Sequence, residues 1–566
     1  MIKWKDTATE WWDRIEEALE FRRVYGREDT WFQLEAMFLN LPASGADFGP
    51  NVVQEMGDTL VSDLGVGSPV IGVNPSAGDP RSLETHKTVQ AVDRWLMNEL
   101  NIPTIMEDCI LHSYLWGRGA VKLGYDSEWG FDEAFDLGEY DNPLGITLTQ
   151  FTKKGNRLEY GVARPGMPWV APVLPHDLLY PWGVVYPEQS PWVAHRVFRH
   201  VDLLKADVKY TKTRDVQPTH SMEDIVNSYT KAGAKHRKEI QRWAPSRSAI
   251  NKIEFVELWE IHNYMNGKVT VISEKEVHRN DKDRLQVDGL PFKSVTLMRH
   301  PRSFWGTPTA QYLLCHQAEQ SDIALQASKQ RRISQQKFLV REGTMEISEV
   351  EKALSPQVGI AAFMKQSASL RDDFVPMPQQ SNIPIWQEAQ FAQRNARVAI
   401  GFSNNQAGEF DTSSRRTATE ASLVQQGSDK RMNRRQRAVA KFYTDTFRFL
   451  NQILFTFWKT PRSIQVDPKT WPQFTGEDIR AEYSYEVTFG QDRARDPESR
   501  RAEAFNLYLA LREDPMIDQT SLRQVLGEVY SDVQFERIFQ IEENPNANLS
   551  LQLPAGRGGT GSSQRN

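Results

Sequence analysis

Apolar residues along this 566-residue chain follow two rhythms. Steps of three and four mark one face of a helix. They run through residues 6–25 on Trp11, Ile15, Ala18 and Leu19, with Arg22 at the same spacing. They return over Trp31 to Leu39, Asn51 to Leu64, Ser82 to Leu100 and Pro103 to Leu115, with Ser82 as a candidate cap. Period-two alternation predicts strands at Pro69 to Val73, Ala120 to Tyr125, Ile253 to Tyr264, Lys268 to Ile272 and Phe292 to Met298. Asn266-Gly267 between two of them is a hairpin signal. Residues 126–160, rich in Gly, Asp and Asn, read as loops or an irregular hairpin, and 205–250 as polar and partly helical. Helices and strands mix without regular alternation, which predicts an α+β fold for this half.

The character changes at Phe304-Trp-Gly306. Thr307 can cap and Pro308 can open a helix that runs to about Gln330, carrying Gln311, Gln317, Gln320, Gln326 and Gln330 among Ala and Ser. Its apolar face is thin, so alone it is marginal, and packed beside copies of itself it makes sense. Residues 331–383 form a compact insert with strands at Phe338 to Arg341 and Phe374-Val375. A capping box, Ser348-Glu-Val-Glu351, opens a short helix to Leu354 within it. A second helix spans Ile385 to Ile400, with Pro384 before it, Gly401 after it, and Ile385, Ala389, Ala392, Ala396 and Ala399 as its small apolar face. The polar loop Ser403 to Arg416 leads to a second capping box, Thr417-Ala-Thr-Glu420, and then to an unusually long helix ending near Trp458. Gly427-Ser428 is a candidate kink in it, and Val439, Phe442, Tyr443, Phe447, Leu450, Ile453, Leu454, Phe457 and Trp458 form its core stripe. A strand at Tyr483 to Phe489, short helices over 497–541 and an Asn-, Gly- and Ser-rich tail from Asn544, expected to be disordered, complete the chain.

Composition narrows the functional classes. Charged residues are 25% and hydrophobic ones 39%, ordinary for a globular protein. The net charge of -6 argues against a generic polycation that coats nucleic acid. The 2 cysteines, Cys109 and Cys315, rule out a disulfide framework or a cysteine-ligated zinc, and suggest a reducing compartment. Neither a signal peptide nor a spanning helix is visible. Gly117-Arg-Gly119-Ala-Val-Lys122 starts like a dinucleotide fingerprint, but it has Lys at the third glycine and precedes a strand. A phosphate-binding G-x-x-x-x-G-K-[ST] loop, H-E-x-x-H and G-x-S-x-G are all missing. No catalytic constellation, metal site or cofactor is therefore expected. The long helix carries a basic band, Lys430, Arg431, Arg434, Arg435, Arg437 and Lys441, just beyond Arg415 and Arg416. Either it is a solvated or inter-subunit ion-pair face, the reading favoured here, or it contacts DNA phosphates.

Taken in order, four pieces resemble the portal proteins of tailed bacteriophages, especially short-tailed phages. They are Asn51 to Pro75, Gly117-Arg-Gly-Ala-Val-Lys-Leu-Gly-Tyr125, Pro301 to Gln320 with its Phe-Trp-Gly, and Thr417-Ala-Thr-Glu420. The resemblance covers roughly residues 10 to 540. It implies a non-enzymatic ring, usually a dodecamer, at one capsid vertex, through which double-stranded DNA is packaged and ejected without sequence preference. On this chain it implies a wing over 1–302, a first stem helix over 303–332 and a clip over 333–383. A second stem helix over 384–402, a tunnel loop over 403–416, a long helix completing the wing over 417–489, a crown over 490–543 and a tail over 544–566 follow. The tunnel loop would present Ser403, Asn404, Asn405, Gln406, Gly408, Glu409, Phe410, Arg415 and Arg416 to the channel. Implied partners are the terminase large subunit, tail adaptor or head-completion proteins, and the major capsid and scaffolding proteins, with no membrane. The expected location is the virion, after assembly in the host cytoplasm. The competing classes are a packaging enzyme such as the terminase ATPase, against which the missing phosphate loop counts, and a capsid or adaptor component without a channel.

Overall fold

The computed structural model describes residues 7–40, 50–65, 69–126 except 77, 149–150, 160–161, 166–222 except 208, and 224–225. It further describes 252–333 except 275, 284 and 286, then 338–354 except 344, 363, 365, 374–376, 385–401, 418–466, 470–488, and 505, 506, 508 and 509. The chain divides into two compact units, Met1–Thr488 and Phe489–Asn566. In the second, the few described residues are helical.

The first unit mixes helices and antiparallel sheets, as the period analysis predicts. Its largest sheet has the order β11-β10-β9-β7-β6. These strands are β6 (Leu178–Leu179), β7 (Trp192–His200), β9 (Ile253–Asn263), β10 (Lys268–Ile272) and β11 (Val277–Lys282). Strand alternation splits β9 between two cores. Trp259 and Ile261 meet Trp11, Ile15 and Ala18 of α1 (Ala8–Gly26), while Val256 and Leu258 meet Val201 and Leu204 of α6 (Val201–Ala206). The β9–β10 hairpin closes over Tyr264 to Gly267 rather than the two residues the Asn-Gly signal suggests. Asn266 Oδ1 accepts the Lys268 amide at 3.0 Å, and Gly267 takes φ 63°.

A second sheet, β12-β2-β5, lines up Phe292–Val295, Gly119–Asp126 and Met167–Val173. Strand β12 stops at Val295, earlier than the expected Met298, because Thr296 Oγ1 turns to donate to Gly117 O and Met298 O. Two chain-distant segments, β1 (Val70–Pro75) and β17 (Tyr483–Thr488), pair with each other.

Glycines in the Gly117-Arg-Gly119 step serve backbone packing and no phosphate. Gly117 ends α5 (Ile102–Trp116) with φ 85°, and a Cβ on Gly119 would lie 1.9 Å from Cys109 O. Arg118 is buried, donates to Ser294 Oγ and Phe304 O, and lies 3.7 Å over the Phe304 ring. Two of the four pieces that carry the resemblance therefore pack on each other.

Several start signals are displaced. Helix α4 (Pro80–Glu99) is capped by Asp79, whose Oδ1 accepts the Arg81 amide, and Ser82 is buried inside it. The segment after Thr307 begins as a 3-10 turn, Thr309–Leu313, before α7 (Leu314–Ile333). Helix α8 (Ile347–Leu354) begins at Ile347, so Ser348 sits in its first turn rather than at its cap. Strand β13 (Phe338–Val340) pairs with β14 (Phe374–Pro376). The long helix, α10 (Ala418–Phe457), stays helical through Gly427 and Ser428. Its stripe from Val439 to Trp458 is buried except for half-buried Phe457, with Phe442, Phe447, Leu450, Ile453 and Leu454 nearly inaccessible. Each such side chain contributes about 1.5–3 kcal/mol. Thr417, which opens the capping box, Arg415, Arg416, the loop 403–416 and the helices expected over 510–541 lie outside the described residues.

Candidate functional site

Helix α7 and helix α9 (Ile385–Ile400) run side by side. Small residues make the approach possible: Ala392 and Ala396 are buried on α9, with Ile400 continuing that face. Ala399, assigned to the same face by its spacing, is exposed instead, and Arg397 takes the buried place. Across the pair, buried Gln320 donates its amide to Ala389 O at 2.9 Å.

Polar hooks, rather than apolar burial, tie the pair to α3 (Val52–Gly65). Gln317 Oε1 accepts the Val52 amide at 2.8 Å while its amide donates to Pro50 O. A residue far along the chain thus satisfies an orphan donor at the start of α3, and Asn51 Oδ1 accepts the next, from Gln54. Arg397 donates to Glu55 Oε1 at 2.8 Å, with Gln393 at 3.5 Å from the other carboxylate oxygen. The C-terminus of α9 carries two stops. Gly401 adopts φ 83° and its amide bonds Val398 O, and Arg435 of α10 donates to Ile400 O at 2.7 Å. A cation on the last carbonyls suits both hydrogen bonding and the helix dipole.

The outward side of the pair is greasy. Opposite Ala396 on α9, Phe391 is 65% exposed and Val398 60%, while Trp386, 79% exposed, stands near the start of the helix on the flank it shares with Arg397; Tyr312, just before α7, is exposed too. Single exposed apolar residues are ordinary, but large ones concentrated on one short helix point to a partner. None of Gln317, Gln320, Glu55, Trp386 or Phe391 was singled out from sequence. The glutamines were noted only as a thin-faced composition, and the signal available was their crowding on a helix too polar to stand alone.

The basic band divides. Arg435 is buried, and a helix end 35 residues upstream supplies its acceptor. Arg434 and Arg437 are exposed. Lys441 is exposed and pairs with Glu188 at 2.9 Å and Asp445 at 3.9 Å. The side chains of Lys430 and Arg431 lie outside the described residues.

Lys441 also lines a cleft of about 540 Å³ between α10, β12 and the 185–190 and 288–303 segments. Lys293, Arg299 and Arg448 line it too, and Tyr186 and Tyr264 stand half exposed at its rim. Burial lowers the Lys293 ammonium from its ordinary value, partly offset by Asp445 and Glu188. Deeper in the body, Asn451 donates to Asp93 Oδ2 at 3.1 Å and to the Tyr485 hydroxyl at 2.9 Å. Burial raises the Asp93 carboxyl well above the usual range. Among the described residues, no group of three or more His, Cys, Asp or Glu is placed to hold a metal, and no helix is long and apolar enough to cross a membrane.

A family model described as Phage SU10 portal protein matches residues 162–546, well over half of the chain. The chain belongs to the phage SU10 portal protein family. No curated protein matches it. The match takes in the whole of the large sheet, the α7/α9 pair, all of α10 and β17. Portal proteins are bacteriophage head-tail connectors, structural components of genome packaging. The packed Gly117–Phe304 junction, the hooked helix pair and the long helix are therefore parts of a portal subunit.

Proposed function

We propose that this chain forms a ring at one capsid vertex and that double-stranded DNA passes through the ring during packaging and ejection. The observation that carries this is the α7/α9 pair. It is closed on its small-residue side, hooked to the body by Gln317, Arg397 and Arg435, and left with Phe391 and Val398 exposed on the other and Trp386 exposed near the start of α9. A heterologous contact repeated around an axis covers such a face in every copy and closes a ring. In this reading α7 and α9 are the stem and line the channel. The 403–416 loop is its constriction and 333–383 is the clip, which docks the terminase motor and later the tail adaptors. The rest of the first unit is the wing, held against capsid and scaffolding proteins. The role is mechanical, without catalysis, and the protein resides in the virion.

Overall negative charge suits a conduit, since each added phosphate contact increases affinity and slows sliding. Electron microscopy of the purified chain is expected to show rings with a central hole, and a monomer at all concentrations would overturn the reading. Deleting Asn404 to Ser414 is expected to leave rings intact while impairing packaging or retention of DNA. Normal packaging after that deletion would remove the loop's assigned role.

A further inference from the structure

Beyond Leu258, the side of β9 that meets α6 continues in two polar residues, Glu260 and His262. There they meet Lys122 of β2, so the contact spans the two sheets. Lys122 Nζ donates to Glu260 Oε2 at 2.7 Å. The other carboxylate oxygen, Oε1, lies 2.8 Å from His262 Nε2. His262 Nδ1 faces Asp283 Oδ2 at 3.5 Å, an ion-pair distance. Asp283 Oδ1 in turn accepts the Leu285 amide at 3.0 Å.

A carboxylate therefore faces each ring nitrogen of buried His262. A neutral imidazole donates from one nitrogen only and turns a lone pair on the second acid, whereas the imidazolium donates from both. Charge balance agrees. Lys122, Glu260 and Asp283 together leave one negative charge, which a protonated His262 cancels, and an uncompensated charge in the interior is costly. His195 of β7 pairs with Glu260 in register and also faces the cluster. Burial, then Lys122, pushes it down to about 3, so it stays neutral. Tyr210, raised first by burial, is a neutral phenol near Glu260. Burial acts to lower His262 as well, but the Asp283 and Glu260 carboxylates outweigh it and hold His262 above its ordinary value.

The cluster underlies the Lys441 cleft. Phe292, which lines the cleft, stands edge-on to His262 with ring centroids 5.5 Å apart, and Lys122 Nζ lies 5.6 Å from the same ring. Asp283 also begins the segment that supplies Asp288, Gly289 and Leu290 to the cleft wall. At its far end this segment is held by Pro291 O, which accepts the Leu123 amide, and midway by an exposed bond from the Tyr264 hydroxyl to Asp288. At its near end the Asp283 amide bonds Gly267 O and the Asp283 side chain faces His262.

We propose that a protonated His262 is the centre of a clamp, Lys122–Glu260–His262–Asp283, which ties the two sheets beneath the cleft and lets go of the cleft wall in alkaline solution. Because the folded value of His262 lies above the unfolded one, this stabilisation is complete below the ordinary histidine range and lost as pH rises through the folded value. The clamp lies within one subunit and stands apart from the ring reading.

Deuterium exchange at the histidine C2 position, read by mass spectrometry on the full-length chain, gives the His262 midpoint. It is followed from about pH 5 to about pH 10, which brackets the histidine range. The expected midpoint lies above that of the same peptide in the denatured chain and falls in Asp283→Asn, a change of shape-matched side chain at a partly exposed position. Backbone amide exchange, corrected for its intrinsic pH dependence, should quicken in peptides covering 283–292 as pH passes that midpoint, with β7 peptides unchanged. In Asp283→Asn the 283–292 peptides should already be fast at the acid end and insensitive to pH. A His262 midpoint at or below that of the denatured chain, or one that Asp283→Asn leaves unmoved, would overturn the clamp. A raised midpoint with protection of 283–292 flat across the pH range would overturn it too, leaving a static ion pair.

Discussion

Replacing Arg397 with Met tests whether the helix pair is held to the body by its polar hooks. Arg397 is 3% exposed and donates to Glu55 at 2.8 Å. Removing one partner of a fully buried pair costs about 3–5 kcal/mol, because the other charge is stranded. Glu55 is not fully buried, however, since its side chain is 34% exposed and can rehydrate. Methionine also fills the aliphatic part of the arginine's volume, so little cavity remains. The expected cost is therefore that of a lost hydrogen bond to a charge, about 2 kcal/mol. In hydrogen exchange, peptides covering Ile385–Ile400 should exchange about 30-fold faster, since each 1.4 kcal/mol is tenfold. Peptides of β7 and β9 should keep their protection. The double variant Glu55→Leu with Arg397→Met removes both charges and is expected to recover to within about 1 kcal/mol of the parent. If the single variant leaves exchange of 385–400 unchanged, or the double variant is as open as the sum of the two singles, the hooks do not anchor the pair.

Other substitutions probe separate contacts. Arg435→Ala removes the donor on Ile400 O and should fray the last turn of α9 by about 1 kcal/mol, seen as faster exchange confined to residues near 398–401. Trp386→Ala with Phe391→Ala should leave the subunit's thermal unfolding unchanged and abolish rings in sedimentation, and unaltered rings would show that another face closes the assembly. Asp93 has a raised folded value, so the native state holds its proton more tightly than the unfolded chain. That stability is complete below about pH 4 and lost as pH rises through the folded value. Asp93→Asn should therefore flatten the fall in Tm between pH 5 and 8 and be at least as stable as the parent at pH 8. A less stable variant at pH 8 would mean the charge itself is used. Gly119→Ala puts a methyl 1.9 Å from Cys109 O and should cost more than about 3 kcal/mol, read as loss of soluble protein.

The same residues mark where sequence alone stops being informative. A buried stripe such as Val439 to Trp458 is legible because apolar spacing on a helix states which face leaves water, whatever it packs on. Arg435 was illegible for the opposite reason. An arginine in a basic run looks solvated unless an acceptor is known, and its acceptor is a helix end brought in by the chain's fold. Ser82 and Asp79 compete for one cap, and only the backbone conformation of Asp79 decides between them. Gln317 looks like helix filler until α3 places an orphan amide against it.

By itself the sequence determined the mixed α+β character, most of the element order, the absence of familiar catalytic loops and, through pieces spaced along the chain, the portal resemblance. These follow from local periodicity and turn chemistry, which act over a few residues. Only the tertiary structure decided which polar side chains are buried hooks, which greasy ones are left outside, and that Gly117 and Phe304-Trp-Gly306 form one packed junction. Burial of a polar group depends on a partner distant in the chain, and no local pattern carries that information.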